Sequence, residues 1–307
     1  MCYGKALAGQ GSIPLVSKSV PIESFPPIRR LGSGDLRQCV ALSVDRGWSP
    51  ERSKWSLLLG GAEAYGVDAP DGGGLAATVV LTRWPPDLAS VGMMLVATRY
   101  GRRGLGRALM KHLLAEAGDA TVTLFATDMG RPLYEQLGFL PVRRSVSFMG
   151  AFRPDGRTGR GALAGSTRSA VDADLPAIIA VDRSAFGADR SRILTQLAGF
   201  AERLALLETE QGTIGYAAAW RNIPSATIIG PVVAPDAEAA KRLITYLAAP
   251  ARGSVRLDLD PDRPELPAWA NARGLEPVSR TAVMAHGPVT DRGTPDRLFT
   301  PISVALA

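Results

Sequence analysis

Two features let a chain bind phosphate oxygens without a metal: backbone that no Cβ shields, and fixed positive charge. Residues 101 to 107 read Gly-Arg-Arg-Gly-Leu-Gly-Arg and carry both. Apolar residues recur from there at Leu105, Leu109 and Leu113, with Met110 and Leu114 one position round. That spacing predicts an amphipathic helix. The first N–H groups of a helix have no intrahelical partner, and the helix dipole favours an anion beside them. Upstream, Val91 to Ala97 is an apolar run of strand length. The stretch 91–118 therefore reads as strand, glycine turn and helix, and the chemistry it suggests is the grip of a pyrophosphate.

Two common phosphate motifs are incomplete here. Gly101 and Gly106 have the spacing of a P-loop, but Arg107 and Ala108 stand where Lys and Ser or Thr are needed. Gly104-x-Gly106 could open a dinucleotide fingerprint, but Leu109 holds the third glycine position. A glycine-rich turn can also be a plain connector between strand and helix. The surrounding elements carry the choice.

Those elements follow from local pattern. Ile28 to Leu31 reads as a short strand, and Ser33 and Asp35 can cap a helix over Leu36 to Ser43. A second helical piece runs from Trp48 through Trp55 to Leu59. Ala62–Val67 and Leu75–Thr82 are strand-like, joined through Asp71-Gly-Gly-Gly74. After the helix at 105 come a strand over Ala120–Ala126, a short helix over Met129–Leu137 closed by Gly138, and a strand over Val142–Met149. This order predicts an α/β mixed sheet with the glycine turn at the carboxyl end of a strand, where open sheets bind ligands.

The pattern then starts again. Asp35-Leu36, Gly74, Val96-Ala97 and Gly138 find counterparts in Asp174-Leu175, Gly212, Val233-Ala234 and Gly274, at offsets between 136 and 139. An internal repeat is the simplest account. The second copy lacks the glycine turn, because Val233-Ala-Pro-Asp-Ala-Glu238 runs straight into a helix. Its two acids would repel a pyrophosphate, so the second copy is expected to wall the cleft rather than bind the cofactor.

Residues 28 to 150 resemble the GNAT N-acetyltransferase superfamily, and the whole chain resembles its tandem form. The resemblance rests on Met93-Met-Leu-Val-Ala97, on Arg102-Arg-Gly-Leu-Gly-Arg107, and on the segment from Ala126 to Phe139, which contains Leu-Tyr-Glu-Gln-Leu-Gly-Phe. Gly101 stands where the family's coenzyme A loop has Gln or Arg. The resemblance implies two tandem GNAT-like acyl-CoA N-acyltransferase domains, the first active and the second degenerate. It implies acetyl-CoA as cofactor and direct attack by a primary amine of a small molecule on the thioester. Backbone groups of Leu95, Val96 and Ala97 would pair with the pantetheine arm beside a splayed strand, with the N–H near Leu95 polarising the thioester carbonyl. Arg102, Arg103, Gly104, Leu105, Gly106 and Arg107 would hold the pyrophosphate. Tyr134 would donate a proton to the departing thiolate. Aligning the two copies puts Ala270 where Tyr134 stands, so the second copy has no such acid.

No residue stands out as the base that frees the amine. His112 reads as a solvated helix residue, Asp128 as a cap of the helix at Met129, and Glu63 as part of a strand that could line the acceptor site. Trp48 and Trp55 read as packing, Arg143-Arg144 as a solvated strand end, and Cys39 as a core residue. Asp258-Leu-Asp-Pro-Asp262 lacks the glycine and closing glutamate of a calcium loop, so no metal is expected. Two other classes stay open: a non-catalytic acyl-CoA sensor, and an enzyme acting on amines of peptides or proteins.

The rest of the composition sets limits. The chain has 307 residues, enough for two domains. Its net charge of +6 is spread among interleaved acids, without a basic run, which argues against nucleic acid as a partner. No apolar run is long enough to span a membrane, and Gln10, Ser12 and Pro14 break the N-terminal stretch. Two cysteines make no disulfide framework, and a cytoplasmic location is expected. The division expected is an arm over 1–26, the catalytic domain over 27–152, a glycine-rich linker over 153–166, and the second copy over 167–307. A homodimer is compatible with it.

Overall fold

The computed structural model describes residues 25–154, 165–223, 225–290 and 292–306. Most of the expected arm and linker lie outside them. The first half runs β1 (Arg29–Leu31), α1 (Leu36–Asp45), α2 (Arg52–Gly61), β2 (Glu63–Asp68), β3 (Leu75–Trp84), β4 (Leu88–Val96), α3 (Leu105–Ala117), β5 (Thr121–Ala126), α4 (Arg131–Glu135) and β6 (Leu140–Gly150). The second half repeats the order as β7 (Ser166–Ser169), α5 (Leu175–Phe186), α6 (Ser191–Phe200), β8 (Arg203–Thr209), β9 (Gly212–Ile223), β10 (Ala226–Val233), α7 (Ala237–Ala248), β11 (Ser254–Leu259), α8 (Glu265–Ala272) and β12 (Glu276–His286). A further short strand, β13 (Leu298–Thr300), follows. The second helix starts at Arg52 rather than near Trp48, since Pro50 holds the preceding residue extended.

All thirteen strands form one mixed sheet in the order β1-β2-β3-β4-β5-β12-β6-β11-β10-β9-β8-β7, with β13 beside β10. The two halves have exchanged their closing strands. β6 pairs with β12 and β11 rather than with β5, while β12 inserts between β5 and β6. Both β3 faces are covered: it is buried at nine of ten positions, with α1 and α2 on one side and α3 on the other. β10 is buried along its whole length. Helix α2 also reaches across to touch β9 and α6, so the halves share a core.

The repeat is written in conformation as well as sequence. Gly74 and Gly212 both have positive φ, 93° and 110°, and Gly138 and Gly274 have φ of 86° and 85°. An ion-pair triad recurs at the same place. Arg29 donates to Asp68 (2.7 Å) and Asp35 (2.8 Å), and Arg168 donates to Glu208 (2.6 Å) and Asp174 (2.7 Å). In each half the aspartate also accepts an N–H three residues upstream, from Gly32 at 2.9 Å or Val171 at 2.8 Å. The triad ties the first strand to the first helix and the second strand.

Candidate active site

β4 and β5 are parallel neighbours only from Leu88↔Thr121 to Val91↔Leu124. Beyond Val91 the strands part. The cause lies in β4, where the register against β3 slips between Gly92 and Leu95 and Met93 takes φ of 50°. This is a β-bulge, which bends the strand and frees the backbone on its far side. Thr78 Oγ1 pins the bulge by donating to the Met93 carbonyl at 3.0 Å.

Backbone alternation fixes which groups face the gap. The Ala97 N–H donates to the Ala76 carbonyl at 2.8 Å, and the Ala97 carbonyl accepts from Tyr100 N–H at 2.9 Å. Ala97 is therefore committed to β3 and the following turn. In an antiparallel ladder the next residue back points away from its partner, so Val96 turns its N–H and C=O into the gap and Leu95 turns its own towards β3. Near Leu95, the N–H that faces the gap is therefore that of Val96.

The turn after β4 is braced from behind. Thr98 N–H donates to Asp45 at 2.6 Å, and Arg99 is paired with Asp71 at 2.8 Å. Tyr100 is buried with the guanidinium groups of Arg99 and Arg103 at 4.7 and 5.5 Å from its ring centre. Arg102 has φ of 60° and Gly104 φ of 82°. Left-handed backbone at a non-glycine residue costs of order 1–2 kcal/mol and is concentrated at functional sites. Gly104 caps α3 without a side chain, and the first intrahelical bond runs from Ala108 N–H to the Gly104 carbonyl at 2.9 Å. The N–H groups of Leu105, Gly106 and Arg107 therefore point out of the helix end. A Cβ on Gly106 would come within 3.2 Å of Met94 Cε and 3.3 Å of Leu133, so the bare backbone lets the first turn of α3 pack closely on β4 and α4. Arg103 Nη1 is buried without a hydrogen-bond partner. An orphaned cationic nitrogen beside uncapped N–H groups fits a phosphorylated ligand. Arg107 donates to Gln136, which ties α3 to α4.

Tyr134 lies on α4 and is 8% exposed. Its ring packs edge-on against Phe139 at 5.9 Å, and a Cβ on Gly130 would come within 3.1 Å of it. Burial pushes the phenol up to about 12. Phe139 in turn faces His286 at 5.3 Å, a residue that β12 delivers from the second half. No local signal in the sequence places it there.

The candidate bases fare differently. His112 is half-buried: it packs edge-on against Tyr65 at 4.8 Å, with Nε2 buried and unpartnered. Burial raises the Glu63 carboxyl, but hydrogen bonds and charge from Arg83, Tyr65 and Arg30 outweigh it and leave it below its ordinary value. Asp128 does not cap α4, where Thr127 Oγ1 accepts the Gly130 N–H at 3.3 Å. Trp55 is buried and donates to Ser43 Oγ at 2.8 Å, while Trp48 is 40% exposed. Cys39 is buried in the core, which pushes its thiol up to about 12.

The second half closes the same gap with its own chain. β10 parallels β11 only from Ala226 to Ile228, and β13 then pairs with β10 at Val232 and Val233. Gly230 admits the crossing carbonyl of Pro301, which a Cβ would strike. At the head of α7, Asp236 accepts Ala239 N–H at 2.8 Å, so a carboxylate already stands at that helix end. After β13 the chain passes to the first half, where the Ala305 carbonyl lies against Gly92.

The order of strands and helices around a bulged, parted strand occurs twice in the chain, but only the first copy runs into an uncapped helix through a glycine cradle. The chain belongs to the GNAT acetyltransferase family, as a tandem of two such domains. A model of the Acetyltransferase (GNAT) family matches residues 36–139, and one of the Acetyltransferase (GNAT) domain matches 178–299. The chain is 31% identical over 182 residues to the uncharacterized N-acetyltransferase YitH of Bacillus subtilis. The match covers 58% of this chain and 63% of that relative, so it spans under two thirds of the relative's length. A putative acetyltransferase from Pyrococcus horikoshii superposes with a TM-score of 0.76 at 19% identity, covering 94% of this chain and 98% of that one. A tandem GNAT protein from the clavulanic acid biosynthesis pathway superposes at 0.61 with 17% identity, covering 86% and 99%. These two likenesses speak to the fold alone.

Proposed function

We propose that the chain is an N-acetyltransferase that moves an acetyl group from acetyl-CoA to a primary amine of a small molecule. The observation that carries the reading is the continuity of the bulged gap beyond Val91 with the open N–H groups of Leu105, Gly106 and Arg107. Acetyl-CoA, when bound, supplies the activated acyl group. The N–H groups of Leu105–Arg107, with Arg102 and Arg103, hold its diphosphate. The gap-facing backbone of Val96 fixes the pantetheine arm, and its N–H stabilises negative charge on the acyl oxygen.

Tyr134 donates a hydrogen bond at the leaving sulfur. A phenol at about 12 is a weaker acid than a thiol near 8.5. Complete transfer of its proton to a free thiolate would run uphill by about 5 kcal/mol, so its contribution is a hydrogen bond that strengthens as charge develops. Solvent takes the proton of the amine, since hydrogen bonds from Arg83 and Tyr65 already hold Glu63 below its ordinary value.

Calorimetry with coenzyme A, followed by thiol release from acetyl-CoA across a panel of amines and peptides, tests the reading. Heat from coenzyme A and amine-dependent thiol release support it. Heat with no release for any acceptor points to a sensor, and label appearing only on protein points to a peptide or protein acceptor. The absence of heat removes the reading.

A further inference from the structure

A cavity of about 470 Å3 lies over the exchanged centre of the sheet. Among the described residues its lining includes none of β4 beyond Leu88, none of 101–107 and none of α4, so it is separate from the gap that opens beyond Val91. Its floor comes from both halves. Along β5, Val122, Leu124 and Ala126 are buried in the core, and the alternate residue Phe125 lines the cavity. Across the sheet Phe125 pairs with Val283 and Val283 with Arg143, both of which also line it. Two strand spacings separate Phe125 from Arg143, roughly 10 Å. Phe186 and Phe299 add apolar wall, and Val142 and Val289, exposed by 39% and 64%, belong to the same lining.

Most polar groups on the walls are committed to the protein. Arg144, Arg190 and Arg292 are paired with Asp262, Asp182 and Asp87, and Arg263 donates to the carbonyls of Asp296 and Leu298 at 2.7 and 3.0 Å. Thr121, Thr123 and Thr300 donate to the carbonyls of Pro288, Ala89 and Ile229. Asp258 accepts from Ser147 Oγ at 2.5 Å and Arg256 Nε at 3.0 Å, and Asp260 accepts the Asp262 N–H at 2.9 Å. Groups satisfied in this way gain little from a ligand. Arg143 and Ser145 differ. They lie two residues apart on one face of β6, roughly 7 Å from Cα to Cα. Ser145 is 6% exposed, and its hydroxyl has no hydrogen-bond partner among the described residues. Arg143, at the strand end expected to be merely solvated, has no carboxylate partner among them either. Taken with the charged side chains they pair with, the wall residues comprise six arginines and five aspartates, which leaves one positive charge.

We propose that this cavity is a second small-molecule site, for a monocarboxylic acid with an unbranched apolar chain of about eight carbons, the length of the row from Arg143 to Phe125. Its carboxylate is held by Arg143 and Ser145, and its chain lies across Val283 to Phe125. The guanidinium presents two N–H groups to the two carboxylate oxygens, and the buried Ser145 hydroxyl gains the acceptor it lacks. A single positive charge suits a monoanion rather than a phosphate or a dicarboxylate. Each methylene taken out of water tightens binding about fourfold. The floor is drawn from both halves, so the bound acid also stabilises the joined sheet. None of this depends on the acetyl-transfer reading.

Calorimetry on the full chain tests it, comparing octanoate with butanoate, octylamine and 1-octanol, with and without coenzyme A. Octanoate is expected to bind at one site per chain, at least tenfold tighter than the other three, to raise the melting temperature, and to leave coenzyme A affinity unchanged. Arg143 is exposed, so Arg143→Gln should fold normally and bring octanoate down to the affinity of octanol. Val283→Glu sets a carboxylate directly across from Arg143 and should weaken octanoate at least tenfold. The proposal is overturned by no saturable heat from octanoate, by equal binding of octylamine or octanol, by competition with coenzyme A, or by unchanged octanoate affinity in either variant. If coenzyme A gives no heat, the acetyl-transfer reading fails by itself, and the octanoate measurements still decide this site.

Discussion

Tyr134 is protonated throughout the range in which an alkyl amine loses its proton, because the phenol sits near 12 and a free amine near 10.4. Two consequences separate at this scale. The rate of acetyl transfer at limiting acceptor should rise with pH from 7 to 9.5 as neutral amine accumulates, with no decline from the phenol in that window. Replacing Tyr134 with Phe should lower kcat by about tenfold to a hundredfold, leave coenzyme A affinity within a factor of two, and preserve the rising profile. Steady-state kinetics across that range checks both. Stability carries the opposite sign. A folded-state phenol raised from about 10 to about 12 contributes fully below pH 10, and the contribution is lost as pH climbs through 12. Tyr134→Phe should therefore flatten the fall in melting temperature between pH 10 and 12.

At the scale of elements, the two helix ends that follow β4 and β10 make opposite choices from the same start. α3 begins at Gly104 with open N–H groups, whereas α7 begins at Asp236 with its own carboxylate in place. β13 also pairs with β10 beyond its last pair with β11, whereas among the described residues no strand pairs on that side of β4 beyond Val91. One coenzyme A per chain is the expected stoichiometry, and calorimetry returning two would contradict it. Asp236→Ala should cost about 1 kcal/mol of stability through the lost cap, read by denaturant unfolding, without creating a second site, because β13 remains. Gly106→Val should weaken coenzyme A binding at least tenfold. Its side chain would press on Met94 and Leu133 and displace the first turn of α3, which carries the open N–H groups.

For the whole molecule, the exchange of β6 and β12 makes each half depend on the other. Separated halves would expose the edges of β5 and β11, which are paired in the intact sheet. Unpaired central strand edges are open to aggregation. A cut within residues 155–164 should therefore leave both fragments associated through size-exclusion chromatography, while either fragment expressed alone should be insoluble. The intact chain should also unfold in one transition, since α2 packs on β9 and α6 and the two halves share a core. Two separated calorimetric transitions would argue against that coupling.

Local chemistry made much of this legible in advance. The apolar run before Ala97, the glycine cradle, the helix from Leu105 and the doubled landmarks are short-range patterns set by backbone sterics and side-chain periodicity, and the strand, turn and helix stand where those patterns put them. What depends on contacts between distant residues was not legible. Helical spacing placed His112 in solvent, but Tyr65 from β2 covers one side of its ring and leaves it half-buried. The Arg143-Arg144 pair is an ordinary strand end in sequence, and only the strand exchange brings Arg143 onto one cavity with Phe125 and Val283. The fate of the second cleft was half visible: Asp236 announced itself, whereas the three residues of β13 carry no local sign that they will lie along β10. Periodicity fixes which face of an element is buried, but which strand becomes its neighbour is chosen by the total burial and hydrogen bonding of the folded sheet.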